Sequence, residues 1–323
     1  MQPPVPLRRI LLIRNDRMGD LLMSMPAVHQ IRAAFPEAKL TLLIQEDLAE
    51  LLEGHPDADR ILRCDPRQGQ GWGAILRWAR ILRRERFDCA AILNPTRLFH
   101  AATFLARIPT RAGYRRKWGS LLTRSIPDTK QARGGHEAEY NLELVRLLGI
   151  QASEPVLSLP TRPETEAEAA GILESRGIRA TDRPVAVHPW TSNESKSWPL
   201  DSFLQLIRSL DASGVPVLVI GGQECRAAMQ RWKGALPSSI ADLVGQVPLR
   251  LLPALLRRCR VMVSNDSGPV HVAAAVGTPA VVVAPQSHAA LLNRWRPLGD
   301  RHRILIAPGV DQVAAAIAEQ RAG

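Results

Sequence analysis

Short, almost continuous apolar runs alternate along the chain with segments whose apolar positions recur every three or four residues. The runs RRILLIR, KLTLLIQ, DRILRC and DCAAILN read as strands, and DCAAILN in particular has the unbroken apolar character of a strand buried on both faces. Between them, MPAVHQIRAAF, EDLAELLEG and GWGAILRWARILRRER read as helices, the last with a clear apolar face. Such βαβα wiring predicts a parallel sheet covered by helices on both sides.

After the helical EYNLELVRLLGI the pattern lapses. In QASEPVLSLPTRPETE, Pro155, Pro160 and Pro163 interrupt any helix or central strand, which marks a linker. The alternation then restarts with PVAVHP, LDSFLQLIRSLDASG, VPVLVIGG, RVMVSN, GPVHVAAAVG and TPAVVVAP. The expected fold class is α/β with two Rossmann-like domains, residues 1–158 and 159–323. Ligands gather at the carboxyl ends of strands in such sheets, so the two sheets are expected to face each other across a cleft. A terminal helix over 310–322 is expected to pack back on the first domain.

Composition narrows the class. The chain has 323 residues, 46% of them hydrophobic, enough for two packed cores. Cys64, Cys89, Cys225 and Cys259 are far apart and form no C-x-x-C pair, so buried free thiols are expected, with no zinc site and no redox dithiol. The opening PLRRILLIRNDR has too short an apolar core for a signal peptide, and VHVAAAVGTPAVVVAP is cut by His271, Gly277 and Pro279, so no transmembrane segment is expected. The expected location is the cytoplasm.

Net charge is +11 and leans toward the first half. No acidic residue lies between Asp88 and Asp128, where Arg97, Arg107, Arg111, Arg115, Arg116, Lys117 and Arg124 fall. This block suits phosphates, an anionic membrane surface or nucleic acid, or is simply a solvated face. Charge alone favours nucleic acid, and two tyrosines and five phenylalanines offer few bases a stacking platform, so no nucleic-acid partner is expected.

Four polar clusters follow predicted strands. NDRMGD places Gly19 and the carboxylate of Asp20 after the first strand. VSNDSGPVH places Asp266, Ser267 and Gly268 before Pro269, a residue suited to a first helical position; the amides there form an anion pocket, or Asp266 or Ser267 is merely the helix cap. HPWTSNESKSWP offers Thr191, Ser192 and Lys196, either a phosphate-binding group or incidental surface polarity. VIGGQE sets Glu224 after Gly221 and Gly222, where an acid reads ribose hydroxyls in nucleotide folds, or where glycines simply turn the chain. Neither G-x-G-x-x-G nor G-x-x-x-x-G-K-[ST] occurs, and no histidine pair has metal-ligand spacing, so phosphate is expected to rest on amides and Lys196 instead of Mg²⁺.

Taken together, RNDRMGDLLMSMPAVHQIRAAFPEAKL, HPWTSNESKSWP, VIGGQE and VSNDSGPVHVAAAVGTP resemble glycosyltransferase family 9, the bacterial lipopolysaccharide heptosyltransferases, over nearly the whole chain. The resemblance implies a GT-B architecture, with an acceptor-binding first domain and a nucleotide-sugar-binding second one. It implies inverting, metal-independent transfer of heptose from ADP-heptose to a lipid A–inner-core acceptor, with no cofactor beyond the donor. Asp20 falls on the family's catalytic base. Thr191, Ser192 and Lys196 fall on its phosphate contacts, Glu224 on its ribose-binding acid, and Asp266, Ser267, Gly268 and His271 on its donor loop. Backbone near Gln246 and Val247 falls beside the nucleotide base. Gly19, Arg115, Arg116 and Lys117 are the acceptor-side candidates, meeting a phosphorylated glycolipid, with peripheral contact at the cytoplasmic face of the inner membrane. Trp190 stands where many members of the family carry a small residue. Transfer of another nucleotide sugar or to another acceptor, nucleotide-sugar epimerisation, and non-catalytic nucleotide or membrane binding are the rival readings. A helix start favours the ionised form of Asp20 and weakens it as a base, while desolvation acts in the opposite direction.

Overall fold

Each apolar run named above becomes a strand in the computed structural model, which describes residues 7–69, 71–232 and 234–322. The chain divides into two units, Met1–Leu157 and Ser158–Gly323. In the first, β1 (Arg9–Arg14), β2 (Lys39–Gln45), β3 (Arg60–Cys64), β4 (Cys89–Ile92), β5 (Thr110–Tyr114) and β6 (Arg124–Ile126) form one sheet in the order β3-β2-β1-β4-β5-β6. In the second, β7 (Val185–His188), β8 (Val217–Val219), β9 (Ala241–Asp242), β10 (Val261–Asn265), β11 (Ala280–Ala284) and β12 (Arg303–Ile306) are ordered β12-β11-β10-β7-β8-β9. Every pairing is parallel. The second order is the first with its strands renumbered, so both are Rossmann-type sheets with a switch point, between β1 and β4 and between β7 and β10.

The strands are apolar because helices cover both faces. Ile10, Leu11, Leu12 and Ile13 are fully buried in β1, where Leu12 lies in register with Leu42 on one side and Ala91 on the other. The helix Trp72–Glu85 buries Ala74, Ile75, Trp78, Ala79 and Leu82, the three-and-four spacing read from the sequence, and Trp78 meets Phe99 edge-on at 5.6 Å. In the second unit Val187, Val263, Val283 and Phe203 share one core.

The proline-rich stretch 151–162 contains no helix or strand, and Pro163 opens the helix Pro163–Glu174, a position where its missing N–H costs nothing. The last helix, Val310–Ala322, lies against the helix Leu200–Ala212 and against β10 and β11 of its own unit, with Val313 and Ile317 in the core. All four cysteines are buried free thiols, and burial pushes Cys64 up to about 11 and Cys89 up to about 12. Among the described residues no helix is long and apolar enough to cross a membrane.

Leu12→Ala removes a side chain that touches packed neighbours on every side. It should cost about 3 to 5 kcal/mol in urea unfolding, and a loss below about 1 kcal/mol would show that the centre of this sheet is loosely packed.

Candidate functional site

Both switch points carry a polar cluster, and each is described within its own unit. In the first, β1 ends on Arg14, which is 2% exposed. Its Nη2 donates to Asp20 Oδ1 at 2.8 Å and to Glu137 Oε1 at 3.2 Å, while Nη1 donates to Asn141 Oδ1 at 3.2 Å. Its Nε lies 2.8 Å from Asp16 Oδ1, an ionic contact without the alignment of a hydrogen bond. Glu137 also accepts from Lys130 Nζ at 3.0 Å, and that ammonium sits 4.2 Å from the centre of the Tyr114 ring. Two buried cations are thus shared among three carboxylates.

The helix that brings Glu137 and Asn141 here, Glu137–Arg146, begins at a capping box: Ala138 N–H donates to His136 Nδ1 and His136 N–H to Glu139 Oε2, each at 3.2 Å. Asp20 lies in the first turn of the short helix Met18–Leu22, after Gly19, and the cap position belongs to Arg17. Burial holds the Asp16 carboxyl up at about 6 against the pull of Arg14, and the negative charges of Asp20 and Glu137 add to the rise.

In the second unit β10 leads into Asp266, which is 7% exposed. Lys196 Nζ donates to its Oδ2 at 2.9 Å, and His288 Nε2 lies 2.8 Å from the same oxygen. Burial raises the Asp266 carboxyl, but Lys196, His288 and the nearby His271 together hold it below the usual carboxylate range. Ser267 occupies the cap position of the helix Gly268–Ala275 and makes no side-chain cap bond; Pro269 stands in the first turn. The Ser267 hydroxyl instead meets Ser264 Oγ at 2.9 Å and His188 Nδ1 at 3.3 Å. Pro269 has no N–H and Val270 N–H donates to the Ser267 carbonyl at 3.2 Å, so in this first turn the Gly268 N–H is the amide that faces an anion beside Lys196.

Asn265 fastens the neighbouring loop, accepting from Trp198 N–H at 2.8 Å and donating to the Pro189 carbonyl at 2.7 Å. That loop holds Thr191, Ser192 and Lys196. Thr191 Oγ1 accepts from Asn193 N–H at 3.4 Å, and Ser192 is exposed. Glu224 is exposed and folds over Gly222, so that a Cβ at that glycine would run into its carboxylate. Trp190 packs on Gly221, where a Cβ would lie 2.8 Å from its ring, and it stands 6.0 Å from Trp232. Val247 lies part-buried in the loop after β9, and His271 is buried on the helix that starts at Gly268. The structure thus gathers Lys196, Asp266, Ser267, Gly268 and His271 around one helix start. Arg115, Arg116 and Lys117 are exposed in the loop after β5.

Arg14, Asp16, Lys130, Glu137 and His288 were not singled out by sequence reasoning. Arg14 had a visible signal, a charge ending an otherwise apolar strand, whereas Glu137 and His288 have none, because their partners lie 123 and 22 residues away. Among the described residues no group of three or more His, Cys, Asp or Glu side chains is placed to hold a metal ion.

The family model described as glycosyltransferase family 9 (heptosyltransferase) matches residues 75–314. Lipopolysaccharide heptosyltransferase 3 of Escherichia coli is 23% identical over 273 residues, 81% of this chain and 79% of its own. The solved structure of a family 9 glycosyl transferase from Veillonella parvula superposes with a TM-score of 0.88 at 20% identity, over 99% of both chains. The E. coli heptosyltransferase WaaC, solved with ADP, gives 0.75 at 20% identity, over 97% of this chain and 99% of that one. The α/β GT-B class expected from the sequence is therefore the observed fold.

Burial sets a pH dependence of stability. It holds the His188 imidazole down at about 4, and His100, buried on the helix Arg97–Leu105, is held down at about 4 by burial and by Lys117. Between pH 6.5 and 4 the unfolded chain binds protons there that the native one refuses, so stability falls as pH falls, by about 3 kcal/mol for His188. Asp16, raised to about 6, acts in the opposite sense, since the native chain binds its proton more readily. Denaturation midpoints should drop from pH 7 to 4.5, and His188→Gln should flatten that drop; an unchanged slope would place the imidazole in water.

Proposed function

The chain belongs to glycosyltransferase family 9, and from that premise we propose that it transfers heptose from ADP-heptose to a lipopolysaccharide inner-core acceptor, with inversion and without a metal ion. The observation that carries this reading is the Lys196–Asp266 pair at the uncapped start of the helix Gly268–Ala275, together with a relative solved with ADP. An amide and an ammonium at the carboxyl end of a central strand suit a diphosphate.

In this reading the first unit handles the acceptor and the second the donor. Asp20 takes the proton from the acceptor hydroxyl. The freed oxygen bonds to the anomeric carbon from the face opposite ADP, the carbon–phosphate-oxygen bond breaks, and its electron pair leaves on the diphosphate. Arg14 orients the Asp20 carboxylate by its bond to Oδ1. Lys196, Thr191, Ser192, Ser267 and the Gly268 amide take up the charge that grows on the leaving group, an effect worth roughly 3 kcal/mol for one well-placed donor. When Lys196 turns from Asp266 to the diphosphate, His288 remains on the same carboxylate oxygen, so Asp266 keeps a partner while it orients the sugar. His271 supports the same loop, Glu224 reads the ribose, and Val247 lies beside the base.

The donor is the only small molecule required, with no separate cofactor, and the acceptor is a phosphorylated glycolipid met by Gly19, Arg115, Arg116 and Lys117. The protein would work in the cytoplasm, peripherally at the inner membrane, with no nucleic-acid partner. Transfer of a different nucleotide sugar is the second reading, favoured by the bulk of Trp190 over Gly221 beside the Glu224 loop.

Titration with ADP, UDP, GDP and CDP should show preference for ADP, and ADP release from ADP-heptose should require a heptose-deficient core acceptor; turnover of the donor without acceptor would overturn transfer in favour of epimerisation or hydrolysis. Asp20→Asn should keep ADP affinity and lower kcat by about two to four orders of magnitude; near-normal turnover would remove it as the base. For Lys196→Ala, calorimetry should read ADP binding about tenfold or more weaker, and unchanged affinity would end its assignment to the diphosphate.

A further inference from the structure

We infer that the carboxyl edge of the first sheet is a bilayer-docking surface, built from two indoles and a basic loop and fitted to anionic phospholipid headgroups. The inference rests on the acceptor-side reading of the first unit and adds to it the surface that meets the lipid.

Trp72 is 67% exposed, more than any other large hydrophobic side chain among the described residues. It opens the helix that follows β3, and Leu76, one turn further along the same helix, is 44% exposed. Trp118 lies in the loop after β5, and its ring centre is 6.0 Å from that of Trp72, tilted by 39°. All strands of this sheet run parallel, so the segments leaving β1, β3 and β5 emerge on one edge. Asp20, Trp72 and Trp118 therefore lie along the same edge of the unit.

The loop between Tyr114 and Trp118 supplies the charge. Arg115, Arg116 and Lys117 are exposed, and Lys117 holds a left-handed φ of 57°, a conformation a lysine rarely adopts. The buried Gly119 and the turn Gly119–Leu121 follow it directly. Arg116 pairs with Asp128 at 3.3 Å, whereas Arg115 and Lys117 have no carboxylate partner among the described residues.

Trp118 is half-buried and packs on the core of its unit, whereas the exposure of Trp72 and the basic loop is not explained by packing. An indole that projects into water gains nothing from the core, but it is at home at headgroup depth, where its ring meets acyl chains and its N–H meets water. Cations beside it are drawn to an anionic surface, each raising partition roughly fivefold. Two indoles, Leu76 and two unpaired cations on one edge match an anionic bilayer in charge and in polarity. Docking that edge would bring Asp20 to the level of a glycolipid's headgroup sugars.

The test uses the whole protein and vesicles of phosphatidylethanolamine with phosphatidylglycerol, compared with vesicles of phosphatidylcholine alone. Co-sedimentation should favour the anionic vesicles and weaken at high salt. Trp72→Ser should weaken it about tenfold, and the double variant Arg115→Glu, Lys117→Glu should abolish it, both with an unchanged urea unfolding curve as evidence of folding. Binding that is equal on both vesicle types, or indifferent to these substitutions, overturns the inference. A second arm follows sugar transfer by Trp72→Ser to an acceptor in vesicles and to a soluble, deacylated core fragment. Loss confined to the vesicle acceptor supports docking, and equal loss on both overturns it by making Trp72 a sugar contact. Absence of any transfer by the parent protein would sink the transferase reading while the sedimentation arm still decides the surface.

Discussion

A guanidinium buried at the end of β1 constrains the whole first unit. Removing an unpaired charge from water costs several kcal/mol even after the protein relaxes, so Arg14 is tolerable only with its carboxylates in place. Two come from the segment that follows β1, Asp16 in the loop and Asp20 in the first turn of the helix Met18–Leu22, and the third, Glu137, comes from a helix more than a hundred residues further along. The ion pairs therefore tie the first loop to that helix and fix where Asp20 points. Lys130 adds a second cation to Glu137 and is itself held over Tyr114, whose hydroxyl donates to the Tyr140 carbonyl of the same helix. Loss of one member leaves the others with uncompensated charge, so the cluster behaves as a single unit.

The second sheet solves the equivalent problem mostly without charge. His188, kept neutral by burial, and Ser264 hold Ser267, and the two ends of the Asn265 amide bind the loop that carries Lys196. The ionic contact here is that of Asp266 with Lys196, and Lys196 and His288 converge on one carboxylate oxygen. A neutral scaffold leaves the ammonium and the Gly268 amide as the chief positive features of the site, which suits a ligand that brings its own negative charge. The same Rossmann wiring thus carries two electrostatic designs, one built on buried cations shared among carboxylates and one on mostly neutral hydrogen bonds.

The strands, the proline-rich break and the helix start beside Pro269 were legible because each is a local pattern: unbroken apolar runs, prolines that stop helices, and a proline suited to a first turn. The loops after β1, β7 and β10 were legible as polar clusters, since function in such sheets concentrates at strand ends. What held those loops was not. Glu137 sits in an ordinary amphipathic helix, and His288 in a short turn with no flanking pattern, so nothing near either residue announces its partner. Trp118 reads as one more apolar residue in a basic loop until β5 and β3 place it against Trp72.

Trp190 seated on Gly221 makes those two positions a single unit of variation. A side chain at 221 is admissible only once the ring at 190 has moved or shrunk, whereas a smaller residue at 190 alone opens a gap above the glycine. The cost of an exchange at either site therefore depends on the residue at the other, with Cys225 Cβ, 3.1 Å from a Cβ at 221, as the third member of the contact.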